Sequence, residues 1–479
     1  MAETGNTPYT GVGSTGVRYT GRTVIKLPYN EVTKDNVRTI LSEALGTHRK
    51  NEREIEYLYN YYKGEQPILA REKTIRSDIN NKIVENRANE IVAFKVGYLC
   101  GSPVQYTANS GDESVARDIE MLNYMVASEG KEVQDKEIVE WNTICGTAYR
   151  YVYADKPEDA DTAPFEMCTL DPRQTFVAYS SHIGNKPLMA CTYWNSGATA
   201  TEMTYAIYTA DKYYEINGSS EGGEIVEASN PLGMIPIIEY PANTARLGAF
   251  EIVLPLLDAI NSAESNRLDG LEQAIQSFIK FINCEIDKDT FQDFLELGAI
   301  AVKSHEGANA DVDIICKELS QQGTQTLVDN LYEAVLTICG MPNRQSSSAG
   351  DNGIAVQLRD GWQGAETRAK DAEMMFRGAE MKMLKVLFRI LSEKSVLKLK
   401  VADIGLKFTR RNYEAIQSKS QVLVSMLQSE KIHPRLAFEH CGMFPDPETA
   451  YSMSADYYEE QMKKWEPIEV DESNNVQES

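Results

Sequence analysis

The sequence lacks the patterns that mark disulfide-rich, redox and membrane proteins. None of its eight cysteines forms a C-x-x-C pair, and most lie in apolar segments such as Ile144-Cys145 and Ile338-Cys339. This usage is typical of buried, reduced thiols. There is neither an apolar run long enough to cross a bilayer nor a signal-peptide core after Glu3. We therefore expect a soluble, cytosolic protein that does not contact a membrane.

The sequence also has fewer basic than acidic residues. The chain has 48 Lys and Arg against 71 Asp and Glu, a net charge of −23. Nonspecific DNA binding depends on basic side chains that displace counterions, so we expect no tight grip on a DNA backbone. A duplex that slides past the protein is compatible with this charge, and solubility alone also explains it. The length of 479 residues and the 42% hydrophobic content indicate a globular chain of about three domains.

Motifs that resemble catalytic sites lack their structural context. Gly11 to Gly16 match G-x-G-x-x-G, but no strand precedes them and no helix follows. Gly218 to Gly222 match G-x-S-x-G between two predicted strands, which indicates a hairpin turn. Gly130-Lys131 is followed by Glu132, which cannot replace the hydroxyl of a Walker A motif. The sequence therefore predicts no enzyme.

Two patterns begin like metal sites but do not complete one. Asp287-Lys288-Asp289 starts like a calcium loop, but Phe291 stands at a ligand position and the required glycine is missing. The spacing of His433, His440 and Cys441 beside a proline favours a helix cap and core over a zinc site. We expect no metal and no cofactor.

Hydrophobic periodicity predicts an α+β fold that is mainly helical. Before residue 148 we expect helices over residues 34–46, 51–63, 82–97, 113–128 and 131–145. From Ala148 the period changes to two, which predicts an antiparallel β region with strands over residues 149–153, 165–170, 175–180, 188–194, 202–209, 212–217 and 224–226. It ends at Pro236-Ile237-Ile238-Glu239.

The second half returns to helix. Pro255 should kink or split the helix predicted over residues 248–269, or make it begin near residue 254. Strand-like segments follow at 299–303 and 312–316. The remaining predicted elements are helices over residues 324–339, 354–393, 413–428, 434–441 and 447–464, with a β element at 404–408. Residues 248–340 hold 16 acidic and 5 basic residues, whereas residues 354–400 hold 6 and 10.

The most distinctive stretch runs from Tyr62 to Val104. A glycine-proline turn, Tyr62-Lys63-Gly64-Glu65-Gln66-Pro67-Ile68, leads into a helix that we expect to stop at Gly97 with a left-handed cap. Gly101-Ser102-Pro103 then turns the chain into a short strand around Val104 and Tyr106.

This order resembles portal proteins of tailed bacteriophages, the family typical of long-tailed phages of Gram-positive bacteria. The resemblance covers about residues 35–465, and its other local matches are Leu257-Asp258-Ala259-Ile260-Asn261, Gly340-Met341-Pro342 and Phe408-Thr409-Arg410-Arg411. It implies a homo-oligomeric ring, usually of twelve subunits, at one capsid vertex. Double-stranded DNA is packaged and later ejected through such a ring.

The resemblance also implies partners and parts. The partners are the terminase large subunit, the head–tail adaptor, and the major capsid and scaffolding proteins, with assembly in the host cytoplasm and final location in the virion. The parts are a flexible N-terminal arm (1–30), a wing (31–247 with the long helix 354–394), stem helices (248–269 and 323–340), a clip (270–322), a tunnel loop (341–353), a crown (395–465) and a disordered acidic tail (466–479).

Candidate site residues follow from this assignment. In the tunnel loop they are Asn343, Arg344, Gln345, Ser346, Ser347, Ser348, Asp351 and Asn352. On the first stem helix the channel-lining candidates are Asp258, Asn261 and Glu264. The clip interface candidates are Glu285, Asp287, Lys288, Asp289 and Glu306. The loop also has a simpler interpretation as a solvated connection between two helices.

Two other functions stay open at this point. One is a capsid-associated scaffold or binding protein that forms no channel. The other is a phage-encoded hydrolase that uses the β region over residues 148–240. Its candidate residues are His182, the one histidine in that region, and Ser220.

Overall fold

A single long helix, α1 (Val37–Lys63), opens the computed structural model of the protein where the sequence predicts two shorter helices. Its buried positions continue through the predicted break, with His48 and Asn51 among them. Gly46 is tolerated inside the helix, because glycine permits a break without requiring one. The helix ends at Gly64, whose φ of 104° is the left-handed cap expected there.

The structure describes most of the chain in two units. The described residues are 21–74, 76–109, 112–155, 163–195, 203–218, 224–275, 278–282, 311–315, 321–343, 361–394, 396–409, 416–429, 431–441, 443–444 and 447–465. One unit comprises residues up to 97 together with 124–401, and the other comprises 98–123 together with 402–479.

Nine further helices follow α1 among the described residues. They are α2 (Arg87–Leu99), α3 (Glu113–Ser128), α4 (Lys131–Cys145), α5 (Leu254–Ile275), α6 (Gln321–Cys339), α7 (Trp362–Glu393), α8 (Ile416–Leu427), α9 (Pro434–Cys441) and α10 (Pro447–Trp465). The predicted bounds of α3, α4 and α9 coincide with the observed ones. Gly97 lies inside α2 and does not cap it, so the predicted end of that helix is wrong.

The strands in the first 220 residues are β1 (Ile25–Leu27), β2 (Gln105–Ala108), β3 (Thr147–Ala154), β4 (Phe165–Leu170), β5 (Thr175–Ser180), β6 (Pro187–Asn195), β7 (Met203–Tyr208) and β8 (Lys212–Asn217). The later strands are β9 (Glu224–Ser229), β10 (Ile237–Pro241), β11 (Phe278–Ile282), β12 (Asp311–Ile315) and β13 (Ile404–Lys407).

The β region forms two sheets in the first unit. A six-stranded sheet has the order β1-β5-β6-β7-β8-β9, and a three-stranded sheet has the order β10-β3-β4. Every pairing in them is antiparallel except that of β1 with β5, which is parallel. The antiparallel pairing of β8 with β9 confirms a hairpin at the G-x-S-x-G segment. In the second unit, β2 pairs with β13.

The segment predicted as a flexible arm is ordered over its described part. Ile25–Leu27 adds strand β1 to the large sheet, and the Arg22 side chain is buried. Arg22 donates to Glu251 over 2.7 Å and lies 3.0 Å from Glu54. These contacts correct the expectation for residues 21–30, whereas residues 1–20 lie outside the described part.

Helix α1 contributes to two of the apolar clusters that hold the first unit together. Its first half packs Ile40 and Leu41 against strands β5 to β8. Its second half packs Leu58 and Tyr61 against α2, α5 and α6. An unbroken α1 therefore joins the sheet to the helices, which explains why continuing the helix is favoured over a turn at Gly46.

A buried cluster of four charges fixes the long helix α7 to the three-stranded sheet. Lys131 and Arg150 face Asp135 and Glu380, and all four residues are at most 2% exposed. Lys131 Nζ lies 2.5 Å from Asp135 and 3.1 Å from Glu380, while Arg150 lies 2.5 Å and 3.3 Å from the same two carboxylates. The Tyr240 hydroxyl also donates to Glu380 over 2.6 Å. The two positive and two negative charges balance.

The substitution Glu380→Gln should destabilise the fold by about 3–5 kcal/mol, because it leaves a buried positive charge without its partner. Glu393→Gln on the same helix is the matched control. Glu393 pairs with Arg389 at the surface over 2.9 Å, and such pairs contribute about 1 kcal/mol or less. Urea unfolding of the two variants makes the comparison. Equal losses would contradict the role given to the cluster.

Candidate functional site

The paired helices α5 and α6 carry the sequence's stem candidates, and α5 begins where its proline allows. Pro255 is the second residue of α5, in the first turn, where a backbone N–H has no partner within the helix. A short 3₁₀ segment over Glu251–Val253 precedes it. The expected start near residue 254 is confirmed. Leu257 and Ile260 of α5 join the same apolar cluster as Val335 and Leu336 of α6.

A ladder of hydrogen bonds runs along α5 and holds the segment 80–86 beside it. The backbone N–H groups of Asn81, Ile83 and Glu85 donate to Asp269, Ser265 and Asn261, over 2.7, 2.9 and 2.8 Å. Alternate N–H groups of an extended chain point the same way, and every fourth helical residue shares a face. Two extended residues span about 6.6 Å and four helical residues about 6 Å, so the two spacings match. The ladder therefore explains why α2 begins only at Arg87.

The ladder ends at an ion cluster around Asp269. Arg71 lies 3.2 Å from this carboxylate, and Lys73 forms a second ion pair with it. Burial acts to raise the pKa of Asp269, but hydrogen bonds from Lys73 and Asn81 outweigh it and hold the pKa below its usual value. Asp269 is therefore charged at neutral pH and serves the fold.

Two of the three channel-lining candidates belong to this internal face. Asp258 is 4% exposed and accepts a hydrogen bond from Tyr61 over 3.0 Å. Asn261 is fully buried and donates to Gln66 as well as accepting from Glu85. Side chains buried within their own subunit cannot face a channel, so the expectation for these two is corrected. Glu264 is partly exposed beside Arg267, 3.4 Å away, and stays a prediction.

Sequence reasoning missed Ser265 and Asp269, although a signal was present. Asp258, Asn261, Ser265 and Asp269 follow the three- and four-residue spacing of one helix face. A row of small polar side chains at this spacing indicates a face that binds backbone groups. Treating the carboxylates as channel charges hid that pattern.

The base of the predicted tunnel loop is firmly held. Helix α6 ends at Cys339, whose carbonyl accepts a hydrogen bond from Lys95 over 2.8 Å, and Gly340 follows with a φ of 64°. A cation at this end of a helix also offsets its dipole. On the far side of the loop, Gly361 lies so close to Met341 that a methyl group added to its Cα would be 3.6 Å from the Met341 carbonyl oxygen. The two ends of the predicted tunnel loop therefore lie next to each other.

Most loop and clip candidates lie outside the described residues. Asn343 is described, whereas Arg344, Gln345, Ser346, Ser347, Ser348, Asp351 and Asn352 are not. In the segment predicted as the clip, β11 pairs with β12 in antiparallel fashion. The clip candidates Glu285, Asp287, Lys288, Asp289 and Glu306 lie between those strands, outside the described part.

The structure brings no catalytic or metal group together among the residues it describes. His182 is exposed in the turn between β5 and β6, and Ser220 is not described. Cys441 is buried and bonds to the Phe438 carbonyl oxygen. No group of three or more His, Cys, Asp or Glu side chains in the described ranges could hold a metal ion. None of the described helices is both long and apolar enough to span a membrane.

The ladder predicts that Ser265→Ala destabilises the fold by about 0.5–1.5 kcal/mol, because the partly buried Ile83 N–H loses its acceptor. Ser262→Ala, one turn away and partly exposed, should change stability by less than about 0.5 kcal/mol. Urea unfolding and hydrogen exchange at the Ile83 amide measure both effects. Unchanged exchange at this amide in Ser265→Ala would refute the ladder.

Comparisons with solved structures and curated proteins give distant matches or none. No curated protein sequence matches the chain. The chain is similar to a protein in the neck of the native gene transfer agent particle computed with C12 symmetry, at 12% identity and a TM-score of 0.43, over 76% of this chain and 92% of that one. The neck of the empty particle, computed with C6 symmetry, gives 12% identity and 0.43 over 78% and 98%. The native virion gives 12% and 0.44 over 75% and 90%.

The sequence profile of one family covers almost the whole of the chain described above. The profile is that of the phage portal protein, SPP1 Gp6-like, and it matches residues 44–474. This match confirms the resemblance seen in the order of motifs, and the family is structural and not enzymatic. The chain belongs to the SPP1 Gp6-like family of phage portal proteins.

Proposed function

We propose that twelve copies of the chain form a ring at one capsid vertex and that double-stranded DNA passes through its centre during packaging and ejection. The observation that carries this proposal is the family match over residues 44–474. Assembly takes place in the host cytoplasm, and the finished ring stays in the virion. A ring of this kind needs no catalytic group of its own, because a separate motor drives the DNA.

The charge of the chain supports a passage that does not bind its cargo. A net charge of −23 gives each copy a strong acidic excess, which repels phosphates and prevents tight binding. On α5, Glu264 is the remaining candidate for the channel wall, since Asp258 and Asn261 are buried in the subunit. Arg267 holds Glu264 in place and also donates to Gln325 of α6 over 2.6 Å.

We assign the parts of the ring as the family suggests. The wing comprises residues 31–247 and the long helix up to 394, the stem comprises the helices of 248–269 and 323–340, and the crown comprises 395–465. The clip, residues 270–322, is the docking platform for the terminase large subunit and afterwards for the head–tail adaptor. The wing contacts the major capsid and scaffolding proteins.

The tunnel loop over residues 341–353 projects into the channel in this proposal. Its support is the geometry of its base, where Met341 and Gly361 lie side by side and Gly340 adopts a left-handed conformation. A segment that leaves and returns at one place can extend away from the helices without moving them. Arg344 and the neighbouring serines and amides would then touch phosphates without reading the bases.

Negative-stain electron microscopy of the purified chain tests the ring. We expect ring-shaped particles with a central hole along a rotational axis. Particles that are solid or contain a single copy would overturn the channel and favour the alternative, a capsid-associated scaffold without a passage. Native mass spectrometry of the same sample then counts the subunits.

Deleting residues 344–351 tests the loop separately from the ring. Because both ends of the loop are held by described contacts, we expect the variant to form normal rings but to lose most DNA packaging into capsids. A second variant with Gly at all eight positions keeps the length and removes the side chains, and we expect it to lose packaging as well. Normal packaging by the deletion variant would show that the loop has no role in DNA passage.

A further inference from the structure

The three C-terminal helices α8, α9 and α10 enclose very little core of their own. In the described part of these helices the buried side chains are Ala437, Phe438 and Cys441, all on α9. The Phe438 ring stacks on Phe444 and meets the edge of Tyr451, with centroid distances of 5.3 and 5.9 Å. Three buried side chains and two ring contacts are a weak basis for helices of this length.

An apolar stripe leaves this core and continues along α10. Tyr451, Ala455, Tyr458 and Met462 follow one another at spacings of four, three and four residues, which keeps them on one helix face. Tyr451 packs on Phe438 at one end of the stripe. Tyr458 is 65% exposed and Met462 is 54% exposed at the other end. This face of α10 is therefore packed against α9 at Tyr451 and exposed to solvent from Tyr458 onward.

A helix in this situation needs a partner. Beyond Tyr451, each α10 side chain whose exposure is described is half-buried or exposed, so its own subunit contributes little to this stretch. Isolated helices of about 12–15 residues are only marginally stable in water. A row of large apolar side chains on such a helix is typical of an interface.

We propose that this face of α10 packs against a second copy of the chain, on the α8 face that carries Val424 and Leu427. These two side chains are 52% and 43% exposed, and their spacing of three residues places them on one side of α8. The proposal rests on the ring proposed above. A ring joins two different surfaces head to tail, so each copy must carry both.

The placement and charge of the two faces support this partner. Helix α9 packs against both α8 and α10, so one small bundle presents the two faces on separate helices. Glu459 lies beside the α10 stripe, whereas the exposed residues Lys431, just after α8, and Arg435, on α9, carry the opposite charge. Opposite charges at the rim of an apolar contact favour one pairing of surfaces over others.

Two neighbouring tyrosines supply a matched test. Tyr458→Glu places a charge in the proposed contact, whereas Tyr457→Glu places it about 100° away on the helix. Tyr457 is 64% exposed, so the two changes differ only in the face they alter. We expect Tyr458→Glu rings to dissociate at protein concentrations at least about tenfold higher than wild-type rings, and Tyr457→Glu rings to behave like wild type. Native mass spectrometry over a dilution series measures this, and circular dichroism confirms that each variant is folded.

A mixture of two variants tests the pairing itself. Leu427→Glu should weaken the rings as Tyr458→Glu does. Mixed together, the two variants keep one intact contact between an unaltered α10 and an unaltered α8, so they should form more dimers than either variant alone.

Rings of Tyr458→Glu as stable as those of Tyr457→Glu would overturn this contact and leave the channel proposal standing. If wild type forms no rings, the channel proposal itself fails. If Tyr458→Glu lost its binding to a different phage protein while its self-association stayed unchanged, that result would also overturn the contact.

Discussion

Four charges that are shielded from water determine where the long helix α7 lies. Each of the two carboxylates, Asp135 and Glu380, is shared between Lys131 and Arg150. Moving any one of the elements that carry them would leave a buried charge without its partner. The charges add fixed donors and acceptors to the apolar packing of α7, and together they set one position for the helix on the sheet. The position of Gly361, just before α7, follows from this constraint. The base of the proposed tunnel loop therefore depends on a cluster far from it in sequence.

Much of the fold could be predicted from sequence because strong periodic patterns and their boundary residues agreed. The bounds of α3, α4, α9, β4, β5 and β8 coincide with the prediction. The two wrong helix ends share one cause, since Gly46 and Gly97 permit a helix end but tertiary packing decides whether one occurs. Strand β1 was missed because three residues with a parallel partner more than a hundred positions away leave no local signal.

The candidate site was predicted in outline and wrong in detail. The positions of α5 and α6 followed from periodicity, but the roles of their acidic residues did not. Glu251, Asp258 and Asp269 belong to the acidic excess of residues 248–340, and all three are buried and bonded within the subunit. Charge counted along a sequence does not distinguish a carboxylate that faces solvent from one that binds a neighbouring backbone. The acidity available to a passing duplex is thus smaller than the composition suggests.

The ladder on α5 has a built-in maximum length. Two residues of the extended segment span about 0.6 Å more than four residues of the helix. This mismatch adds up from one hydrogen bond to the next, so the donors and acceptors of a long ladder would no longer face each other. The chain stops at three rungs. At one end the Ile79 N–H turns back to Arg76, and at the other the Arg87 N–H turns to Glu85 as α2 begins. The next position at this spacing on α5 is Leu257, which belongs to the apolar cluster and offers no acceptor, so from there α5 serves its packing against α6 instead.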